Sequence, residues 1–309
     1  MILVTGAGGF AGGHLIDLLH REGSEVVAWH RPGAGPKRTG AGVRWDAVDL
    51  LDRRSVDAAI ARARPRFVYH CAGASHVGRA WDDTETTFAV NVRGAHHLFE
   101  ALRDAGLAVP VLVPSSGMVY QPADHPMAED HPLRPTNPYG VSKLAQERLA
   151  MHAAEDGAGV RIARAFNHVG PGQDPAFAAS SFACQIAAIE AGRREPEIVV
   201  GNLQTRREVT DVRDTVRAYR LLLDRGRTAR PYNVCSGQAV EIGEVLERLL
   251  SRARVAIRVR VDRALFRPND VPLVAGDPSR TRDEIGWTPE IPLDRTLDDV
   301  LDYWRRQST

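Results

Sequence analysis

The sequence predicts an α/β fold: a doubly wound parallel sheet followed by a smaller second domain. Three observations point to it, namely strand–helix alternation through the first half, a glycine-rich turn between the first strand and first helix, and a change of style after Phe166. The runs ILVTG, EVVAWH, FVYHCAG, PVLVPSS and VRIARAF are apolar and short enough for strands buried on both faces. Helical patterns separate them. Leu15, Leu18 and Leu19 recur at i, i+3 and i+4, and Phe88, Ala95, Leu98, Phe99 and Leu102 share another face. Strands alternating with helices are the signature of a parallel sheet covered on both sides.

After Phe166 come Gly-Pro-Gly, long loops and arginine-rich stretches, while VRDTVRAYRLLLDRG and RPYNVCS return to the first style. The predicted organisation is residues 1–166 as one domain, with 209–236 returning to it, and 167–208 with 237–309 as a second. No internal repeat or low-complexity segment stands out.

Composition narrows the class. Lys+Arg 40 against Asp+Glu 39 gives a net charge of +1, so nothing points to nucleic acid or an acidic membrane surface as a partner. No apolar run reaches membrane-spanning length, and MILVTGAGG lacks the basic start and cleavage pattern of a signal peptide. Cys71, Cys184 and Cys235 are scattered and outside any CxxC, which reads as thiols of a reduced compartment. The expectation is a cytoplasmic globular enzyme.

LVTGAGGFAGGHL sets Gly6, Gly9 and Gly12 between a strand and a helix. Glycines there allow a tight turn, close approach of backbone to a pyrophosphate, and close helix packing. The phosphate then meets free N–H groups at the helix N-terminus. The expected fold is therefore of Rossmann type and the expected ligand a dinucleotide; an ordinary strand–helix turn is the alternative. At the end of the second strand, where NAD-binding folds place an acid, stand His30 and Arg31, with Lys37 and Arg38 beyond. A guanidinium suits a 2′-phosphate, so NADP(H) is expected over NAD(H), against a solvated basic loop. Asp49, at the presumed end of the third strand, is a candidate acceptor for an adenine amino group or else a helix cap.

NPYGVSKLAQERLAMH has Pro138 near a helix start, then Tyr139 and Lys143 one turn apart on a common face. A neighbouring ammonium favours phenolate, which makes a tyrosine a usable proton donor or acceptor. Taken with TGxxGFxG, HCAGASHV, Asn91 in NVRGAHHL and SSGMVY, this chain resembles the extended short-chain dehydrogenase/reductases along its whole length. The resemblance implies Ser116 as the catalytic hydroxyl, Tyr139 as the acid/base, and Lys143 as a partner of phenol and nicotinamide ribose. It also implies that Phe10, Leu50 and Ala72 are cofactor contacts, that Asn91 interrupts its helix near the site, that Ser115 is structural, and that the protein is a homodimer. Gln121 stands where the family usually has glycine.

RAFNHVGPGQ, IVVGNLQTRREVTDVRD, YNVCSGQ, RPND and GWTPEIPLDRTLDDVLDYWR are similar to nucleotide-sugar enzymes, in wording to the GDP-4-keto-6-deoxy-D-mannose reductases. That likeness implies Arg207 and Arg267 as clamps on a sugar diphosphate, with Asn167 and Asn202 as further contacts; Glu208 replaces a usual aspartate. For each arginine, a surface or ion-pair role is the alternative. No metal is expected, because His96 and His97 adjoin on a helix and no HExxH or Cys/His spacing occurs. No GxSxG elbow surrounds Ser115 or Ser116.

Three outcomes share this scaffold: keto-sugar reduction, 4,6-dehydration and 4-epimerisation. Dehydratases of the family usually carry a carboxylate two residues before the tyrosine of the serine loop; here that residue is Met118. A thioether cannot take a proton from C5. The expected reaction is NADPH-dependent reduction of a nucleotide-linked 4-keto-6-deoxy sugar, GDP-4-keto-6-deoxy-D-mannose to GDP-D-rhamnose. Dehydratase, epimerase and a catalytically silent NADP-sensing protein remain alternatives.

Overall fold

The computed structural model describes residues 1–35, 42–266 and 271–308. From the N-terminus run β1 (Ile2–Thr5), α1 (Phe10–Arg21), β2 (Val26–His30), β3 (Val43–Ala47), α2 (Arg53–Ala63) and β4 (Phe67–His70). The short helices α3 (Arg79–Asp82) and α4 (Thr84–Phe88) lead through a π-helical turn, Ala89–Arg93, into α5 (Gly94–Asp104) and β5 (Pro110–Ser116). Next come α6 (Pro138–Glu155), β6 (Gly159–Ala165), β7 (His168–Val169), α7 (Ala178–Glu190), β8 (Glu197–Val200), β9 (Arg206–Glu208) and β10 (Thr210–Asp211). The chain closes with α8 (Val212–Arg225), β11 (Pro231–Val234), β12 (Ala239–Glu241), α9 (Ile242–Leu250), β13 (Arg258–Val261), β14 (Leu273–Val274), α10 (Ser279–Ile285) and α11 (Leu293–Gln307).

Seven strands form one sheet in the order β11-β6-β5-β4-β1-β2-β3, every pairing parallel. The direction of winding reverses between β1 and β4, which opens a crevice at the carboxyl ends of those strands. The five strands read as apolar runs all lie in it, because alternate residues feed two separate cores. Leu3, Val27 and Val68 face Val56 and Ile60 of α2 and Leu98 of α5. Val4, Ala28 and Tyr69 face Leu15 and Leu19 of α1 and Val216 and Leu222 of α8. Burial on both faces is why these strands lack a polar–apolar alternation.

The later elements build a third core. Phe182 and Ile186 of α7, Val245 and Leu249 of α9, and Leu297 and Val300 of α11 pack over Ile198 of β8. Small pairings β10-β7, β12-β9-β14 and β13-β8 surround it. A fourth cluster of Val119, Tyr120, Met127, Phe166, Cys235 and Val274 joins the turn after β5 to the ends of β6 and β11.

Beneath the crevice lies a buried polar network. Arg164 of β6 donates Nη2 to Glu147 Oε2 of α6 at 2.9 Å and Nε to Oε1 at 3.1 Å. Its Nη1 reaches Tyr120 Oη at 3.0 Å and the Glu129 carbonyl at 2.9 Å, and the guanidinium lies 4.9 Å from the Tyr120 ring centre. Burial works against its charge, yet the bonds and charge of Glu147 outweigh that and hold the Arg164 pKa above its ordinary value. Arg164→Ala should therefore lower unfolding free energy by about 3–5 kcal/mol in urea denaturation, since a carboxylate is left buried and unpaired. A loss under about 1 kcal/mol would show the pair to be dispensable.

Candidate active site

The glycine turn is shaped by backbone crowding. Gly6 follows β1 at φ +64°, and a side chain there would begin 2.5 Å from the backbone of Ala72. One on Gly12 would begin 2.3 Å from the Gly6 carbonyl oxygen, and one on Gly9 3.1 Å from the same atom. The turn is thus folded onto itself and onto the chain leaving β4, where Ala72 N donates to Thr5 Oγ1 at 3.2 Å. Gly9 caps α1 without a side-chain hydrogen bond, so no capping side chain competes for the first N–H groups of the helix, the groups that favour an anion. A cradle that closes if any Cβ is added fits a dinucleotide pyrophosphate. Phe10, first in α1, stacks on His168 at 5.8 Å, and His14 Nε2 donates to the Pro171 carbonyl at 2.9 Å.

His30 ends β2 beside this turn. A side chain on Gly8 would begin 4.0 Å from its Cβ, and its Nδ1 donates to the Arg31 carbonyl at 2.9 Å. Arg31 is exposed; Lys37 and Arg38 lie outside the described residues. Asp49 is exposed and sits two residues past β3, not at its end, and its Oδ1 accepts from Leu51 N at 2.9 Å. The cap of α2 is instead Asp52, which accepts from Arg54 N. Leu50 packs near Gly94, and its carbonyl accepts from His97 Nδ1 at 2.8 Å.

Ser116 is the last residue of β5, and its Oγ accepts from Met118 N at 3.1 Å, capping the turn Gly117–Val119. That turn packs against the start of α6 so closely that a side chain on Gly140 would begin 2.3 Å from the Met118 carbonyl oxygen. Pro138 opens α6, and Asn137 Oδ1 caps it by accepting from Gly140 N at 2.8 Å. Tyr139 is thereby brought close enough to Ser116 for the serine side chain to act on its phenol. Burial pushes the Tyr139 phenol above its usual value, and the nearby Ser116 side chain pulls the other way. The sequence expectation that Lys143 lowers this phenol is corrected here: desolvation dominates. Lys143 is buried, its Nζ donates to Gln146 Oε1, and burial lowers its pKa to about 8 against the opposing influence first of Glu147 and then of Cys71.

Asn91 is fully buried in the π-helical turn, as the expected helix interruption. The widened turn lets its side chain reach sideways. Oδ1 accepts from Ala74 N at 2.8 Å, and Nδ2 donates to Ser142 Oγ at 2.9 Å, which in turn donates to the Tyr139 carbonyl at 2.7 Å. Ser115, pointing to the other face of the strand, donates to Glu147. Neither Glu147 nor Arg164 was singled out in the sequence. The signal that does exist concerns Lys143 alone: Lys37 and Lys143 are the only lysines among 40 Lys+Arg, so a lysine at 143 breaks a strong arginine preference.

The more distal candidates are engaged locally. Asn167 is exposed, and its carbonyl accepts from Thr210 N at 3.1 Å. Asn202 Oδ1 accepts from Gln204 N at 3.0 Å. Arg207 is half-buried on β9 and donates Nη1 to the Arg206 carbonyl at 2.9 Å. Glu208 is fully buried, accepting from Ser236 N at 2.9 Å and Ser236 Oγ at 2.6 Å, and burial raises its pKa. Arg267 lies outside the described residues. Gln121 donates its N–H to the Pro132 carbonyl at 2.8 Å and accepts from His131 Nε2 on its own carbonyl, so the turn tolerates a side chain there. Among the described residues no cluster of three or more potential metal ligands occurs.

A parallel sheet with its switch point under a glycine cradle, and a hydroxyl, a phenol and an ammonium converging beside it, defines a dinucleotide-dependent oxidoreductase. Comparison with known proteins agrees. The family described as GDP-mannose 4,6 dehydratase matches residues 3–300, and the chain belongs to it, within the extended short-chain dehydrogenase/reductases. It is 36% identical to the GDP-6-deoxy-D-mannose reductase of Pseudomonas aeruginosa over 98% of this chain and 96% of that one. The structure of RMD from Pseudomonas aeruginosa complexed with NADPH superposes with a TM-score of 0.87 at 33% identity, covering 99% of each chain. The UDP-glucose 4-epimerase of Thermus thermophilus complexed with NAD gives 0.87 at 28% identity, covering 98% of each. No helix among the described residues is long and apolar enough to cross a membrane.

The cradle makes a direct demand on Gly12. Gly12→Ala should cost about 1–3 kcal/mol of stability by urea denaturation, because its methyl meets a backbone carbonyl that cannot swing away. Undiminished stability would mean that the turn is looser than described.

Proposed function

We propose that this chain reduces the C4 ketone of GDP-4-keto-6-deoxy-D-mannose with NADPH, giving GDP-D-rhamnose. The observation that carries the reading is Met118. It occupies the serine turn beside Ser116 and Tyr139, its thioether within 3.9 Å of Asn137 Nδ2 and its backbone bonded to Ser116. Dehydration needs a base at that position to take the C5 proton, and a thioether is none. Similarity to a reductase and to an NADPH-bound structure supports the same choice.

Gly6, Gly9, Phe10 and Gly12 would hold the pyrophosphate. Asp49, Leu50 and Ala72 would line the adenine and ribose side, and His30 with Arg31 would face the 2′-phosphate. When bound, the cofactor supplies the hydride. Ser116 hydrogen-bonds the substrate oxygen and Tyr139 donates its proton to it as negative charge develops. A phenol whose pKa burial raises is fully protonated at neutral pH and suits that donation. Lys143 supplies positive charge beside the site and would bind the nicotinamide ribose. Asn167, Asn202, Arg207 and Arg267 would contact the nucleotide-sugar.

On this reading residues 1–166 with 209–236 carry the cofactor and 167–208 with 237–309 the nucleotide-sugar. The placement of β11 in the main sheet and the separate core of α7, α9 and α11 support that division. A homodimer through the faces of α5 and α6, where Val141 is exposed, and a cytoplasmic location, in keeping with three free cysteines, complete it.

With NADPH and GDP-4-keto-6-deoxy-D-mannose, the chain should consume reduced cofactor. Tyr139→Phe should lower kcat by about 10²–10⁴-fold while the Kd for NADPH stays within a few-fold. Near-parental turnover in Tyr139→Phe would remove the assignment of the acid.

A further inference from the structure

We propose that Glu147 is the positioning residue of this centre: one buried carboxylate on α6 ties the strand end that carries Ser116 to the helix face that carries Tyr139 and Lys143. The inference rests on the assignment of those three residues above and extends it to a group that touches no reactant.

Glu147 lies one turn beyond Lys143 and two beyond Tyr139, on the same side of α6, and is 1% exposed. Ser115, the residue before Ser116 on β5, donates its hydroxyl to Glu147 Oε1. Arg164 holds both carboxylate oxygens from β6 and is itself fixed through Tyr120 Oη, which donates to Asn233 Oδ1 of β11 at 2.6 Å. The carboxylate is therefore clamped from three strands. Its charge is thereby held in a fixed place one helical turn from Lys143.

The surroundings of Lys143 make that charge matter. Along α6 Tyr139 precedes it and Glu147 follows it by one turn each. Glu147 acts on its charge, as does Cys71 just after β4. Lys143 acts in turn on His70 at the end of β4, and Cys71 and Tyr139 act on Tyr219 of α8. Burial holds His70 neutral, its pKa near 3, and keeps Cys71 a thiol, its pKa near 12. The tyrosines are raised above 10 by burial. Glu147, ion-paired with Arg164, favours the ammonium that burial opposes.

The test uses the scarcity of lysine. With Lys37→Arg as parent, Lys143 is the sole lysine, and its Nζ titration is read directly by 15N NMR on lysine-labelled protein. The parent should titrate near pH 8 and Glu147→Gln at least ~1 pH unit lower. An unchanged titration in folded Glu147→Gln overturns the proposal. Because that variant strands Arg164, Glu147→Gln/Arg164→Met serves as a second; it should unfold cooperatively and keep the lowered titration. Recovery of the parental titration in it, or failure of both variants to fold, reduces Glu147 to architecture and overturns the proposal.

Turnover supplies the other arm. The alkaline limb of kcat/KM should move with the NMR titration. Ser115→Ala should lower kcat several-fold with KM and melting temperature near parental, whereas an unchanged kcat contradicts the tie to the strand end. Absence of turnover in the parent counts against the proposed substrate alone, since the lysine titration is read without substrate.

Discussion

One buried ion pair, Arg164 with Glu147, is the constraint on which the rest of the site depends. Removing both charges from water costs several kcal/mol per ion, and the cost is offset only where geometry is good and every remaining hydrogen-bonding position is filled. Here Ser115, Tyr120 and the Glu129 carbonyl fill them. Those partners come from β5, the turn after it and the loop leading to α6, while the pair itself joins α6 to β6. Satisfying one pair of charges thus fixes the angle between the strand that ends in Ser116 and the helix that begins with Tyr139. The site is preorganised by the fold, so its hydrogen-bond donors need no rearrangement as charge develops on a substrate oxygen.

Crowded glycines do the same work on the other side of the crevice. Gly6, Gly12, Gly117 and Gly140 each sit where an added Cβ would begin under 3 Å from a neighbour. Three hold backbone against backbone. The fourth, Gly117, lies over the Phe166 ring and brings the serine turn down onto the end of β6. Glycine turn, serine turn and helix start are thereby drawn into one crevice.

Features set by local chemistry were legible in the sequence. The five apolar strands, the glycine turn and the proline start of α6 all follow from short-range spacing and residue type. Ser116, Ser115 and the break at Asn91 came instead from the likeness of whole motifs to a family; in the fold Asn91 sits in a π-helical turn and Ser115 donates to Glu147. Long-range charge pairing was not legible: Arg164 sits in a strand run that reads as apolar, and Glu147 looks like one more polar residue on a helix. The titration of Tyr139 was misjudged for the same reason, because a four-residue spacing to Lys143 reports proximity along the helix and says nothing of how thoroughly both groups leave water. The short pairings β12-β9-β14 and β13-β8 also escaped notice: β9, β12 and β13 are partly or fully exposed over most of their length and lack the apolar run that marks the similarly short β1 and β4.

Hydride delivery to C4, with proton donation from Tyr139, is the central claim. It is tested most directly by incubating the chain with GDP-4-keto-6-deoxy-D-mannose and NADPH carrying deuterium at both hydrogens of the nicotinamide C4, then locating the label by NMR. Deuterium at C4 of GDP-D-rhamnose is the result the account predicts. Unlabelled product, or consumption of GDP-mannose without added reductant, would contradict it.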